Sequence, residues 1–225
     1  MSSDSEKHLA AEAALDYVED GMVVGLGSGS TSLIFVRLLG EKVKAGLRIQ
    51  GIPTSDETGD LAKELGISLI TFQECPIIDV DIDGADEVNP QLDLIKGGGG
   101  KLLREKIVAY ASKKVVIMVD STKLVDRLGA FKLPVEIVPF AKPVVEKAIK
   151  DKHGKPTLRT TEDGSAYLTD EKNWILDCDF GLINDPKLLA DELSRIPGIV
   201  EHGLFINIAD VVLIGENDLV RVLKQ

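Results

Sequence analysis

Apolar positions along the chain follow two alternating rhythms. From residue 5 to 20, Leu9, Ala10, Ala13, Ala14 and Val18 repeat at helical spacing, and Gly21 closes the run. Residues 22–26 form a short unbroken apolar stretch of buried-strand type. The turn Gly27-Ser28-Gly29-Ser30-Thr31 then leads into a second helix reaching about Val43. A strand near 47–52 follows, then a helix from Ser55, an N-cap residue, to Leu65, where Gly66 stops it. Residues 115–120 repeat the strand pattern and run into Ser121-Thr122-Lys123. This succession predicts an α/β unit with a parallel sheet.

After Phe131 the pattern changes. Residues 133–138 predict a strand between Pro134 and Pro139, 144–149 a helix, and 157–160 and 174–177 strands around a turn at Asp163-Gly164. Residues 186–194 predict a helix and 199–205 a further strand. The order βαββαβ is the split-βαβ arrangement of a ferredoxin-like α+β unit. A strand at 211–214 returns to the first unit.

Composition adds limits to this picture. Apolar residues make up 44% of 225 and charged residues 28%, enough for a buried core in a soluble protein. Aromatics are only 4%, so aliphatic side chains must fill that core. A formal charge of −11 argues against nucleic acid or an anionic membrane as the partner. Cys75 and Cys178 sit in no metal or redox spacing and read as free buried thiols. His8, His153 and His202 share no metal spacing and read as surface or core residues. The N-terminus has no signal-type apolar segment, and no run approaches the roughly 20 residues of a spanning helix. The expectation is a cytoplasmic protein.

Residues 79–106 (DVDIDGADEVNPQLDLIKGGGGKLLREK) concentrate the candidate chemistry. Asp83 and Asp86 stand three apart at a strand end, placed to hold sugar hydroxyls, assist proton transfer or lie in an acidic loop. Asp79 and Asp81 are expected at a strand edge. Lys96 opens a run of four glycines, whose backbone cost implies positive φ or close approach to a ligand. Lys96 itself can stabilise an oxyanion. Glu105 falls at the margin of a helical apolar face, where partial desolvation would raise its pKa and make it a base. An ion pair with Lys101, four residues earlier, is the competing reading, and the expectation is that Lys101 points to solvent. Upstream, residues 25–31 (GLGSGST) present N–H groups and hydroxyls at a helix start, an anion cradle suited to a phosphate monoester. The glycines do not fit the dinucleotide fingerprint, and no lysine precedes Ser30-Thr31 as in a P-loop.

Laid side by side, GLGSGST, DGADEV, KGGG, REK, LPVEIV, and the later PGIV, GLF and ADV pieces resemble ribose-5-phosphate isomerases of the A type over nearly the whole length. The resemblance implies a Rossmann-like catalytic domain, residues 1–130 and 206–225, with the smaller α+β domain, 131–205, inserted. It implies interconversion of D-ribose 5-phosphate and D-ribulose 5-phosphate in the non-oxidative pentose phosphate pathway, without metal or organic cofactor, by a homodimer or homotetramer. Glu105 matches the base that moves a proton between C2 and C1. Asp83 and Asp86, with Gly84 and Ala85, match the segment that assists ring opening and holds hydroxyls, which counts Asp83 with Glu105 and Lys96 among the catalytic residues. Lys96 with Gly97, Gly98 and Gly99 matches the group that stabilises the enediolate oxygens. Ser28, Gly29, Ser30 and Thr31 match the substrate loop, and Lys7 and Lys123 match basic residues near the phosphate. Where many relatives carry small residues and a threonine, this chain has Gly100-Lys101-Leu102-Leu103. Two alternatives are a sugar-phosphate-sensing domain, which would need a basic recognition helix that the sequence lacks, and a CoA transferase, for which the chain is short.

Overall fold

The structure, a computed structural model, describes residues 2–225. Helix α1 (Ser3–Ala14) is capped by Ser2, whose Oγ accepts the Ser5 N–H, and ends in a 3₁₀ turn at Leu15–Tyr17. Strand β1 (Val23–Leu26) feeds α2 (Ser30–Lys44), followed by β2 (Gln50–Pro53), α3 (Asp56–Glu64) and β3 (Ser68–Leu69). Ser55 caps α3 as expected, its Oγ accepting the Thr58 N–H at 3.1 Å. Strand β4 (Val80–Gly84) precedes two short strands, β5 (Glu87–Val88) and β6 (Leu94–Ile95), then α4 (Leu102–Tyr110) and β7 (Val115–Asp120). The βαββαβ run is β8 (Leu133–Ile137), α5 (Lys142–Asp151), β9 (Lys155–Leu158), β10 (Trp174–Asp179), α6 (Pro186–Leu193) and β11 (Ile199–His202). The chain closes with β12 (Leu204–Phe205), β13 (Val211–Glu216) and β14 (Leu219–Lys224).

Among the described residues these strands make three sheets. The largest has the order β14-β13-β7-β4-β1-β2-β3 and is parallel except for β14 at its edge. Along β4, Val80 and Ile82 pack with α1 and α2 in one core. On the opposite face Val108 and Ala109 of α4 join the other apolar clusters. A sheet covered on both faces explains why its strands read as nearly continuous apolar runs. The chain moves from β1 outward to β2 and β3, then returns to place β4 on the other side of β1. That reversal makes the carboxyl ends of β1 and β4 the switch point, where such folds bind ligands.

The second sheet, β11-β8-β10-β9, is antiparallel throughout, the ferredoxin-like order expected of βαββαβ. The third joins β12, β6 and β5.

Several local expectations change. The strand expected over 199–205 breaks at Gly203, with β11 joining β8 and β12 joining β6. The cause is a close approach: a Cβ on Gly203 would lie 2.3 Å from the Lys96 carbonyl oxygen. Strand β14 was not foreseen, because it is largely exposed and its hairpin turn uses Asn217-Asp218, both at positive φ. Asp81 is not at a strand edge but in central β4, buried, since its face of the sheet is covered. Cys178 is buried, whereas Cys75 is only half-buried with Sγ near the Ile77 carbonyl; both are free. His8 and His153 are exposed and His202 is buried. Among the described residues no helix is long and apolar enough to cross a membrane.

Glu87, on β5 of the third sheet, holds the segment that leads into the βαββαβ unit. Its carboxylate accepts the Gly129 and Phe131 N–H groups, each at 2.6 Å, in a buried setting. Glu87→Ala leaves both amides without a partner and should cost on the order of 3 kcal/mol in a denaturant melt. Glu87→Gln, which keeps an acceptor, should cost clearly less.

Candidate active site

The site lies at the carboxyl ends of β1 and β4. Side chains on β4 alternate across the sheet, so Asp81 and Asp83 share the face toward α4. Gly25 and Gly27 stand opposite them. A Cβ at Gly25 would fall 2.6 Å from Asp81 Oδ1, and one at Gly27 would fall 2.2 Å from Asp83 Oδ1. These two glycines therefore make room for carboxyl groups inside the sheet layer.

Asp83 organises what surrounds it. Its Oδ1 accepts the Ser28 and Gly84 N–H groups at 3.0 and 2.7 Å and the Ser32 hydroxyl at 3.0 Å. Its Oδ2 faces Lys96 Nζ at 3.0 Å. Lys96 Nζ also donates to the Gly84 carbonyl at 2.5 Å and lies 3.3 Å from Glu105 Oε1. The Phe205 ring covers it, 5.5 Å away. All three side chains are nearly dry, with 4% exposure for Lys96, 1% for Asp83 and 7% for Glu105.

This burial sets the protonation states. Desolvation pushes Glu105 up to about 8; Lys96 pulls the other way, and Asp83 and Asp86 add to the rise. Glu105 Oε2 is buried without a hydrogen-bond partner among the described residues, as a carboxyl poised to exchange a proton would be. Burial disfavours the Lys96 ammonium, but the Asp83 and Glu105 carboxylates outweigh it and raise its pKa, so it stays charged. Asp81 is raised well above the usual carboxylate range, first by burial and then by Asp83, against the pull of Lys96.

Above this buried layer is an open pocket. Lys7, Ser28, Gly29, Ser30, Thr31 and Lys123 line one end, and Gly84, Ala85, Asp86, Lys96, Gly97, Gly98, Gly99 and Glu105 the other. The sequence-predicted residues thus converge, except that Asp83 lies beneath the floor rather than on the wall. Helix α2 starts at Ser30 with no side-chain cap, and Gly29 before it has φ +87°, so its first amides face the pocket mouth. Glu6 accepts the Ser121 N–H and hydroxyl, which ties the helix carrying Lys7 to the turn carrying Lys123. Asp86 Oδ2 accepts the Gly98 N–H at 2.7 Å.

Lys101 does not point to solvent. It pairs with Asp170 at 2.6 Å, beside Arg104, which contacts Asp56 and Glu171. The expectation of a solvent-facing Lys101 is thereby corrected, and the competing pair with Glu105 does not form either, because Asp170 holds the ammonium. Asp81 and the Ser28–Asp83 link escaped sequence reasoning, and the only sequence signal for them was the Gly25 and Gly27 spacing opposite alternating aspartates.

A buried carboxyl with a raised pKa, a buried ammonium and a glycine loop, opposite an anion cradle at the switch point of a doubly wound sheet, make a site suited to proton transfer on a small anionic molecule. Comparison with known proteins supplies the particular family. Residues 50–219 match the family Ribose 5-phosphate isomerase A (phosphoriboisomerase A). Ribose-5-phosphate isomerase A of Rhodopseudomonas palustris strain HaA2 is 49% identical, covering 100% of both chains, and that of Parvibaculum lavamentivorans is 50% identical, covering 96% of each. Among solved structures, the ribose 5-phosphate isomerase A of Methanocaldococcus jannaschii superposes with TM-score 0.95 at 41% identity, covering 100% of both chains. A D-ribose-5-phosphate isomerase in complex with phospho-erythronic acid gives 0.97 at 40% identity, again covering 100% of both. The chain belongs to the ribose 5-phosphate isomerase A family and is an isomerase.

Asp81 offers a test of the buried layer. A carboxyl with a raised folded-state pKa keeps its proton in the folded chain and loses it in the unfolded chain above about pH 4. Its contribution to stability therefore declines as pH rises from there. Asp81→Asn should melt a few degrees above the parent at pH 7–8, with the gap closing toward about pH 4. A gap of constant size across that range would show that Asp81 is not held protonated.

Proposed function

We propose that this pocket interconverts D-ribose 5-phosphate and D-ribulose 5-phosphate by proton transfer through an enediolate, with Glu105 as the base. The phosphate sits at the start of α2 against Ser28, Ser30 and Thr31, with Lys7 and Lys123 supplying positive charge. Asp86 holds hydroxyls of the open-chain sugar, and Asp83, from beneath, fixes the cradle and Lys96 relative to one another. Glu105 takes the proton from C2 of the aldose. The electrons of that C–H bond form the C1–C2 double bond, and negative charge moves onto the carbonyl oxygen. Lys96 and the amides of the glycine loop stabilise that oxygen. A hydroxyl proton shifts between O2 and O1, and Glu105 returns its proton to C1, giving the ketose with no net oxidation. The observation that carries this reading is the dry Lys96–Glu105 contact of 3.3 Å facing the pocket. It holds a base with a near-neutral pKa beside a permanent cation.

The same reading places the chain in the non-oxidative pentose phosphate pathway, in the cytoplasm, as a homodimer or homotetramer. Exposed Phe140 and Val144 support association, and the charge of −11 speaks against nucleic acid or an anionic membrane as partner. It also divides the chain into a catalytic unit, 1–130 with 206–225, and a smaller one, 131–205. The small antiparallel sheet lies wholly inside the second span.

Because the base must be ionised, kcat/KM should rise with pH through a midpoint near 8. Glu105→Gln should lower kcat by about 10²–10⁴-fold, the contribution typical of a general base, with KM little changed. A coupled assay in the presence of EDTA reads both. Activity surviving in Glu105→Gln would remove Glu105 from the chemistry, and no turnover by the parent chain would remove the reaction itself.

A further inference from the structure

The glycine loop is held from behind by the small unit. Arg159, just past β9, donates from Nη1 to the Gly97 and Gly98 carbonyls at 3.1 and 3.0 Å. Tyr167 donates its hydroxyl to the next carbonyl, that of Gly99, at 3.2 Å. Arg159 is anchored in turn by Asp177, through Nε at 3.0 Å, and lies over the Tyr167 ring at 5.8 Å. The Tyr167 ring also lies against Gly100, where a Cβ would come within 2.6 Å of it. Sequence alone did not single out either residue.

Peptide planarity gives these contacts a consequence. In a trans peptide the C=O of one residue and the N–H of the next point in opposite directions. Holding the Gly97 carbonyl toward the small unit turns the Gly98 N–H the other way, where it meets Asp86. Holding the Gly98 carbonyl turns the Gly99 N–H the same way. That amide makes no hydrogen bond to another described residue, and Gly99 lines the pocket.

We propose that Arg159 and Tyr167 are positioning residues for the isomerase reaction, keeping the Gly98 N–H on Asp86 and the Gly99 N–H, unpaired among the described residues, aimed at the reacting oxygens. Neither touches the substrate. This rests on the functional reading above and extends it to the small unit, which thereby contributes to transition-state binding through the loop backbone. A preorganised donor aimed at a developing oxyanion acts mainly on the transition state. Losing its support should therefore lower kcat more than it raises KM.

The test uses the full chain with Arg159→Lys, which can keep a charge near Asp177 but cannot span two carbonyls from one planar group. Tyr167→Phe removes only the hydroxyl. Expected are a fall in kcat of about 10–100-fold for Arg159→Lys and about 3–10-fold for Tyr167→Phe, with KM within about 3-fold of the parent in both. Two competitive inhibitors separate positioning from general damage. Inorganic phosphate reads the cradle at α2, and its Ki should not move. Phospho-erythronic acid, whose carboxylate stands in for the enediolate oxygens, should weaken in step with kcat/KM.

Parental kcat in both variants overturns the proposal. So does an equal weakening of inorganic phosphate and phospho-erythronic acid, which would mean that the small unit only keeps the pocket folded. A parent chain that does not convert ribose 5-phosphate is a different failure, because it removes the isomerase reading and this inference with it.

Discussion

The site depends on one buried cation. Lys96 stands between Asp83 and Glu105, out of water, with Asp81 close enough to be felt electrostatically. Three carboxyl groups around one ammonium cannot all be ionised in such a space without a large desolvation cost. One outcome is a neutral Asp81, and another is a Glu105 that gives up its proton only near pH 8. Burial is the main cause of that rise in Glu105, Asp83 and Asp86 add to it and Lys96 opposes it, so the same carboxyl exposed to water would be an ordinary carboxylate.

The same cation ties the three sheets together. Asp83 comes from the large sheet and also carries the Ser28 amide, so the loop before α2 and the Lys96 ammonium share one carboxylate. Lys96 follows β6 in the third sheet, and its N–H donates to Gly203, at the break between β11 and β12. Lys106, next to Glu105 on α4, reaches the other way to Glu201 and the His202 carbonyl. Glu105 thus rides on a helix pinned to the β11 segment, while its partner lysine is pinned to the residue just beyond it. The distance between base and cation is set by backbone on both sides, which is how a 3.3 Å contact persists without a complete hydrogen-bond set on the carboxyl.

Much of the fold was legible because it rests on local signals. The glycine turn after 22–26, the Ser55 cap and the βαββαβ order each follow from short-range pattern and propensity. The pocket-lining residues were legible for a related reason: glycines, a lysine and acids at strand ends are costly places for those residue types unless chemistry needs them. What escaped the sequence was long-range. Asp81 reads like any polar residue in an alternating strand until helix α4 covers that face. Lys101 reads as a solvent-facing residue of the helix start until the small unit brings Asp170 within 2.6 Å. Asp83 and Asp86 look equivalent by spacing, yet the pleat of β4 buries Asp83 beneath the floor, while Asp86, in the bend after the strand, lines the wall. Strand β14 carries too little burial to leave a clear apolar trace.

An acidic chain that binds a phosphate raises a last physical point. At physiological ionic strength charges more than about 8 Å apart are largely screened, so the overall −11 says little about the pocket. Local groups decide. Helix α2 brings fifteen residues of aligned dipole to an uncapped N-terminus, and Lys7 and Lys123 flank it from elements joined through Glu6. The pocket at the start of α2 is thus positive at short range, while Glu105 and Asp83 lie buried around one ammonium. A ligand with a dianionic phosphate at one end and a neutral carbonyl at the other fits that gradient in a single orientation. Reversal would place the phosphate against Asp86 and Glu105 and leave the carbonyl at the cationic mouth. In the proposed reading, the charge layout therefore sets which end of the sugar phosphate faces Glu105 before any hydroxyl is recognised.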